Sequence, residues 1–153
     1  MHWMRLFLIN CLLILCLIGC AGQPPQPQQI TVPTIPAPSA DTSVVSGKVV
    51  ANSNQSPIKK TFVYLARVFW DKDHTHAAYA LDLANSPVAK TDQNGFFTMI
   101  QVQPFEYVVV VGDYYGTNDA VRESNGDAKV YKTEPGKALD VGTIQVNPAV
   151  QMP

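Results

Sequence analysis

After Asp41 no stretch longer than about ten residues shows the 3.6-residue apolar period of a helix. Short β-branched and aromatic runs take its place, separated by turn residues, and this pattern confines the chain to strands. Ser43 to Ala51 (SVVSGKVVA) alternates, with Val45, Gly47 and Val49 on one face and Ser46 and Lys48 on the other. Thr61 to Trp70 (TFVYLARVFW) is apolar on both faces, so alternation alone does not orient it. Val88 to Thr91 and Gly95 to Gln101 flank DQNG, where Asn94-Gly95 predicts a hairpin. Phe105 to Val111 (FEYVVVV) groups Tyr107, Val109 and Val111, with Glu106 opposite. Ala128 to Thr133 and Leu139 to Val146 complete about seven strands, which predicts an all-β, seven-stranded antiparallel β-sandwich.

Composition sets bounds on the partners. With 153 residues and 46% hydrophobic content the chain has enough apolar surface for one domain with a core. Only 15% of residues are charged and the formal net charge is -1, so no basic surplus points to nucleic acid.

The N-terminus has a different character. Met1 to Arg5 is a weakly positive lead, and Leu6 to Gly19 is an apolar run broken only by Asn10. As a helix this run would reach about 21 Å, short of the ~30 Å hydrocarbon layer of a bilayer. It fits the core of a secretory signal better than a spanning helix. Leu17-Ile18-Gly19-Cys20 resembles the lipobox of bacterial lipoproteins. The resemblance implies cleavage between Gly19 and Cys20, with a diacylglyceryl group on the Cys20 sulfur and often a further acyl chain, such as palmitate, on its new amine. Cys11, Cys16 and Cys20 are the only cysteines, so none follows Cys20 to form a disulfide or act as a nucleophile. Each buried lipid methylene contributes about 0.8 kcal/mol, and two chains hold a protein stably at a membrane. The expected location is therefore a bacterial membrane, reached by export and held by lipid on Cys20. Ala21 is compatible with the outer membrane where the source has two.

Ala21 to Asp41 holds six of the 12 prolines, together with four glutamines. Proline favours extended polyproline geometry at ~3.1 Å per residue, which predicts a solvated spacer of up to about 60 Å. A proline-rich ligand for a partner is the rival reading. The expected organisation is a signal over 1–19, the lipid-anchored cysteine and Pro/Gln-rich linker over 20–43, the sandwich over 44–147 and a tail over 148–153.

The sandwich sequence also resembles a known family. VSGKVV, SPIKKTFVYLARV, AKTDQNGFFTM, FEYVVVVGD and LDVGTIQV follow one another as in the carboxypeptidase regulatory-like domain, a transthyretin-like sandwich related in architecture to immunoglobulin folds. The slots are filled by Gly47 and Val49, by Pro57 with Val63 and Leu65, by Thr91, Asp92, Gly95 and Phe97, and by Tyr107, Val109 and Val111. Asp92 is suited to bond turn amides and Phe97 to enter the core. Two features depart from the pattern: QPFEY replaces the usual P-x-G-x-Y, and Asp71 to Ser86 is a long insertion. The resemblance implies a non-catalytic structural or protein-interaction module with no cofactor, here with an envelope protein as the expected partner.

Candidate chemistry is sparse. WDKDHTHAAY, Trp70 to Tyr79, brings Asp71, Asp73, His74 and His76 within six residues, which are ligand types for a divalent metal. On an extended segment His74 and His76 would share a face. A polar interstrand loop is the plainer reading, because structural zinc recruits ligands from separated segments and no second His/Cys cluster follows. There is no G-x-S-x-G elbow, Gly-rich phosphate loop or thiol after Cys20, so an enzyme is not expected. A Lys48–Asn147 isopeptide beside Glu106 is disfavoured because alternation turns Lys48 to solvent. The aromatic set Phe69, Trp70, Tyr79, Tyr114 and Tyr115 remains. Exposed together, Trp70, Tyr79, Tyr114 and Tyr115 would make a platform for a glycan or protein. The long loop Asp113 to Asp127 is a second place for recognition. Clustering of the 70–79 and 113–127 loops around a concave aromatic surface would favour ligand binding, and a flat polar surface a structural role.

Overall fold

The run EYVVVVG is apolar on both faces, and in the computed structural model it occupies the centre of the larger of two sheets. The structure describes residues 31–82, 84–113 and 116–147. The expectations placed on Gly19, Cys20, Tyr114, Tyr115 and the tail lie outside these residues. The chain divides into units Met1–Ile30 and Thr31–Pro153, and the fold concerns the second.

Nine strand segments are present among the described residues: β1 (Ser43–Ala51), β2 (Phe62–Trp70), β3 (Ala77–Ala80), β4 (Val88–Lys90), β5 (Phe96–Val102), β6 (Glu106–Gly112), β7 (Asn118–Ala120), β8 (Val130–Lys132) and β9 (Ala138–Val146). No helix occurs among the described residues. The smaller sheet runs β5-β1-β9; the larger has β2 and β6 at its centre, flanked by β3 and β4 on one side and by β7 and β8 on the other. β3 pairs with Arg67–Trp70 and β4 with Phe62–Tyr64, so the two share one edge position. β7 and β8 likewise share β6. Nine segments thus fill seven positions, and the all-β sandwich holds. All pairings are antiparallel except β1–β9, which is parallel. The chain enters β9 from the 134–137 turn, whose carbonyl at Lys137 accepts from Val44 N and from the Ser43 hydroxyl at the start of β1.

Period-two alternation builds the core. Val45 and Val49 of β1, Phe97 and Met99 of β5 and Ile144 of β9 meet Val63 and Leu65 of β2 and Tyr107, Val109 and Val111 of β6. Each fully buried valine or leucine contributes about 1.5–3 kcal/mol through removal from water. Gly47 belongs to this face because nothing larger fits. A Cβ there would stand 2.6 Å from Val141 Cγ2 and 3.0 Å from the Phe97 ring. The opposite face of β1 is less open than alternation implies, since Val44, Ser46 and Val50 are buried too. Lys48 does sit on that face, with Nζ 5.1 Å from the Phe96 ring. Val32, Pro33 and Ile35, from the end of the proline-rich segment, line a shallow cavity beside it. Lys48 is thus turned away from the space between the sheets, and Glu106 on the larger sheet is engaged by Trp70.

One expectation is corrected: DQNG does not close a hairpin. Thr91 still pairs with Thr61 of the larger sheet, while the Gly95 carbonyl already accepts from Val49 N of the smaller one. Between them Asp92 Oδ1 accepts from the amides of Asn94 (2.8 Å) and Phe96 (2.9 Å). Backbone bonds from Gly95 N to the Asp92 carbonyl (3.2 Å) and from Asp92 N to the Phe96 carbonyl (2.8 Å) close the turn, and beyond it β4 and β5 join different sheets. Gly95 has φ +80°, and a Cβ on it would stand 2.4 Å from the Val49 carbonyl oxygen. Asn94-Gly95 therefore marks a corner between layers.

The QPFEY departure is accommodated by Thr133. Its buried hydroxyl donates toward the carbonyls of Gln103 and Phe105 (both 2.9 Å) and lies 3.0 Å from Phe105 N. The Tyr107 hydroxyl returns to the Gln103 carbonyl at 3.1 Å, a tyrosine corner that fixes the entry into β6.

Candidate functional site

Beyond Leu65 the alternation of β2 turns Val68 and Trp70 to the outer face of the larger sheet and Arg67 and Phe69 to the inner one. Across β3, Val68 faces Tyr79 and Trp70 faces Ala77. Trp70 and Tyr79 are therefore diagonal neighbours on one face, within reach of each other as aromatic pairs are. They are 40% and 42% exposed, which leaves both available to a partner.

Trp70 is held in place. Its indole Nε1 donates to Glu106 Oε2, and its ring stacks on His74 with centroids 6.0 Å apart and planes 14° from parallel. His74 reaches that position through a left-handed backbone, φ 53°. The 71–76 segment is a turn, so the shared face expected for His74 and His76 does not form. Asp71 organises the turn, accepting from Thr75 N and Thr75 Oγ1 (both 2.8 Å) and lying 3.2 Å from His76 Nδ1. The Thr75 hydroxyl bond, reinforced by bonds from the Thr75 amide and from His76, holds the Asp71 carboxyl below the usual range. Asp71 and His76 are thus engaged with each other and His74 with Trp70. Among the described residues no group of three or more His, Cys, Asp or Glu side chains is gathered to hold a metal.

The 113–127 loop contributes the far wall. Arg122 bridges Ala128, and the 123–126 turn is closed by Glu123 N to the Asp127 carbonyl (2.8 Å) and Gly126 N to the Glu123 carbonyl (3.0 Å). Arg122 Nη1 donates to the Gly126 carbonyl at 2.8 Å, and the Asn125 amide nitrogen donates to Asp127 Oδ2 at 2.8 Å. Between this hairpin and the 70–79 segment lies an open groove of about 660 Å³. Val68 and Val108 form its floor, Trp70, His76 and Tyr79 one side, and Arg122, Asp127 and Val130 the other.

The structure thus brings Trp70 and Tyr79 together and joins them to the second loop expected from sequence. Phe69 is on the opposite face, and Tyr114 and Tyr115 lie outside the described residues. Glu106, Arg122 and Asp127 were not singled out for this site. A lone glutamate opposite the valine face of FEYVVVV was the available signal for Glu106. Nothing local marked Arg122.

No family model matches the chain, and no curated protein sequence matches it. Solved structures with similar backbones include the major pilin subunit of Bacillus cereus, at 14% identity and TM-score 0.40. That match covers 69% of this chain and 30% of the pilin chain. A "putative carbohydrate binding protein" of Pseudomonas aeruginosa matches at 16% identity and TM-score 0.44, over 74% of this chain and 100% of that one. (S)-allantoin synthase matches at 11% and 0.41, over 73% of this chain and 42% of its own. At these scores the likenesses transfer no activity or ligand. What fold and groove define together is an all-β sandwich module with a built recess on one face.

Proposed function

We propose that this chain is an exported module, lipid-anchored through Cys20, that binds an envelope protein through the groove of the larger sheet and performs no catalysis. The observation that carries this reading is the meeting of the 70–79 and 113–127 loops around an apolar floor. Partly exposed Trp70 and Tyr79 stand on one side and Arg122 on the other, residue types that dominate binding energy at protein interfaces. An apolar centre with a polar rim is also the anatomy of such surfaces.

A glycan is the second reading, favoured by the concave meeting of the two loops beside exposed aromatics and by one further observation. Trp70 is fixed by Glu106 and His74, and polar His76, Arg122 and Asp127 surround the recess as a sugar's hydroxyls require. A divalent metal has less support, because Asp71 and His76 already satisfy one another.

Titration of the full chain in detergent with solubilised envelope proteins, and separately with envelope glycans, tests both. The indole N–H signal of Trp70 in the ¹⁵N-labelled chain is the readout, since the only other tryptophan is Trp3. Saturable change with the protein fraction, lost in Tyr79→Ala, supports the protein reading. Saturation by glycan alone transfers the site to the second reading, and no response from either contradicts both.

A further inference from the structure

Arg67 and Phe69 continue the inner face of β2 that begins with Val63 and Leu65, yet both are exposed. Here the space between the sheets opens into a cleft of about 640 Å³. Phe105 stacks on one side of the guanidinium, whose central carbon is 3.7 Å from the ring centroid, and Phe69 lies 5.3 Å away. Phe105 occupies the position where the family pattern has glycine, and the Thr133 hydroxyl fixes its backbone. Among the described residues the Arg67 guanidinium has no carboxylate within 4.0 Å, the ion pairs there being His76–Asp71 and Lys137–Glu134, and its side chain meets the two rings. Asp82 stands on the cleft wall, but its two oxygens accept from Asn85 Nδ2 (2.7 Å) and Ala84 N (2.9 Å) within its own turn, bonds that lower its pKa below the usual aspartate value.

An arginine clamped on its flat side by an aromatic ring keeps its in-plane N–H groups free, and that planar fork matches a carboxylate bidentately. The small Ala80 opposite Arg67 leaves the space open, and Gln101 and Gln103 supply neutral amides of the kind that bond hydroxyls. We propose that this cleft is a binding site for an acidic saccharide, with Arg67 engaging a uronate carboxylate, Phe69 packing on the sugar ring and the glutamines bonding its hydroxyls. It is separate from the sheet groove, because Trp70 and Tyr79 lie on the other face of the same two strands.

The test is binding of a labelled galacturonate hexamer to the full chain in detergent micelles, with a galactose hexamer and a short peptide with a free C-terminal carboxylate as competitors. Saturable uronate binding is expected, weakened at least tenfold in Arg67→Gln and less in Arg67→Lys, which keeps the charge without the fork. Lys48→Gln removes the same charge from the other sheet and is expected to leave affinity unchanged. Melting curves confirm that each variant is folded. The proposal is overturned by absence of saturable binding, by Arg67→Gln within twofold of the parent, or by equal loss in Lys48→Gln. Competition by the neutral sugar or the peptide as effective as by unlabelled uronate also overturns it.

Discussion

Trp70 and Glu106 are joined by a hydrogen bond from indole Nε1 to a carboxylate oxygen, 36 residues apart in sequence. The bond links the end of β2 to the start of β6 and sets the angle at which the indole enters the groove. Glu106→Ala should free the ring. The expected result is faster depolarisation of Trp70 fluorescence with a stability loss of only about 1 kcal/mol, because the pair is exposed. Unchanged depolarisation would show that His74 stacking alone holds the indole.

The corner at Asp92–Gly95 carries a larger stability cost. Gly95→Ala must place a Cβ against the Val49 carbonyl at a left-handed φ, so a loss above about 2 kcal/mol is expected in denaturant unfolding. Asp92→Ala removes the one oxygen that accepts from two amides and should cost about 1–2 kcal/mol.

Thr133→Val keeps the shape and removes the hydroxyl. The single hydroxyl hydrogen shared by the Gln103 and Phe105 carbonyls is lost, while Phe105 N and Tyr107 still reach the first and Thr133 N the second, so a cost of about 1 kcal/mol is expected. Phe105 should also loosen from Arg67, visible as averaging of its ring proton shifts. A rigid ring in the variant would contradict the clamp.

The 71–76 turn should be sensitive to acid. Asp71 has a lowered pKa in the folded chain, so its contribution is present above the unfolded value and is lost as pH falls through the folded one. A carboxyl-carbon NMR titration should place the Asp71 midpoint below the ordinary aspartate value, with the Thr75 amide shift following it. In Thr75→Val the midpoint should rise.

Much of this architecture is legible in sequence. Alternation in SVVSGKVVA and FEYVVVV identifies the faces turned to the space between the sheets, though not the burial of Val44, Val50, Val108 and Val110 behind them, and Phe97 enters the core as its motif implies. What was not legible is partnership. Asn94-Gly95 specifies a tight turn but not which sheet each flank joins, which rests on distant partners, Thr61 for Thr91 and Val49 for Gly95. β3 and β7 lie inside segments read as loops, because AAYA and NDA are too short and too weakly β-forming to show a period. They form because β2 and β6 offer ladders to pair with. The groove was half legible, since the aromatics of WDKDHTHAAY were visible while Arg122 and Asp127 reach it only through the 123–126 turn.

Lipid attachment has its own check. Cys20→Ser should abolish labelling by a fatty-acid probe and move the protein out of the detergent phase. Partitioning that survives would mean that the apolar run Leu6 to Gly19 is itself the anchor.

Occupancy of the groove by a partner is read directly by chemical-shift mapping. The ¹⁵N-labelled full chain in detergent is titrated with solubilised envelope proteins, and the Trp70 indole signal is followed with the backbone amides. The account expects saturable shifts confined to 68–79 and 122–130, abolished by Tyr79→Ala. Saturable shifts confined to Ser46, Phe96 and Thr98 on the smaller sheet, unaffected by that substitution, would contradict it.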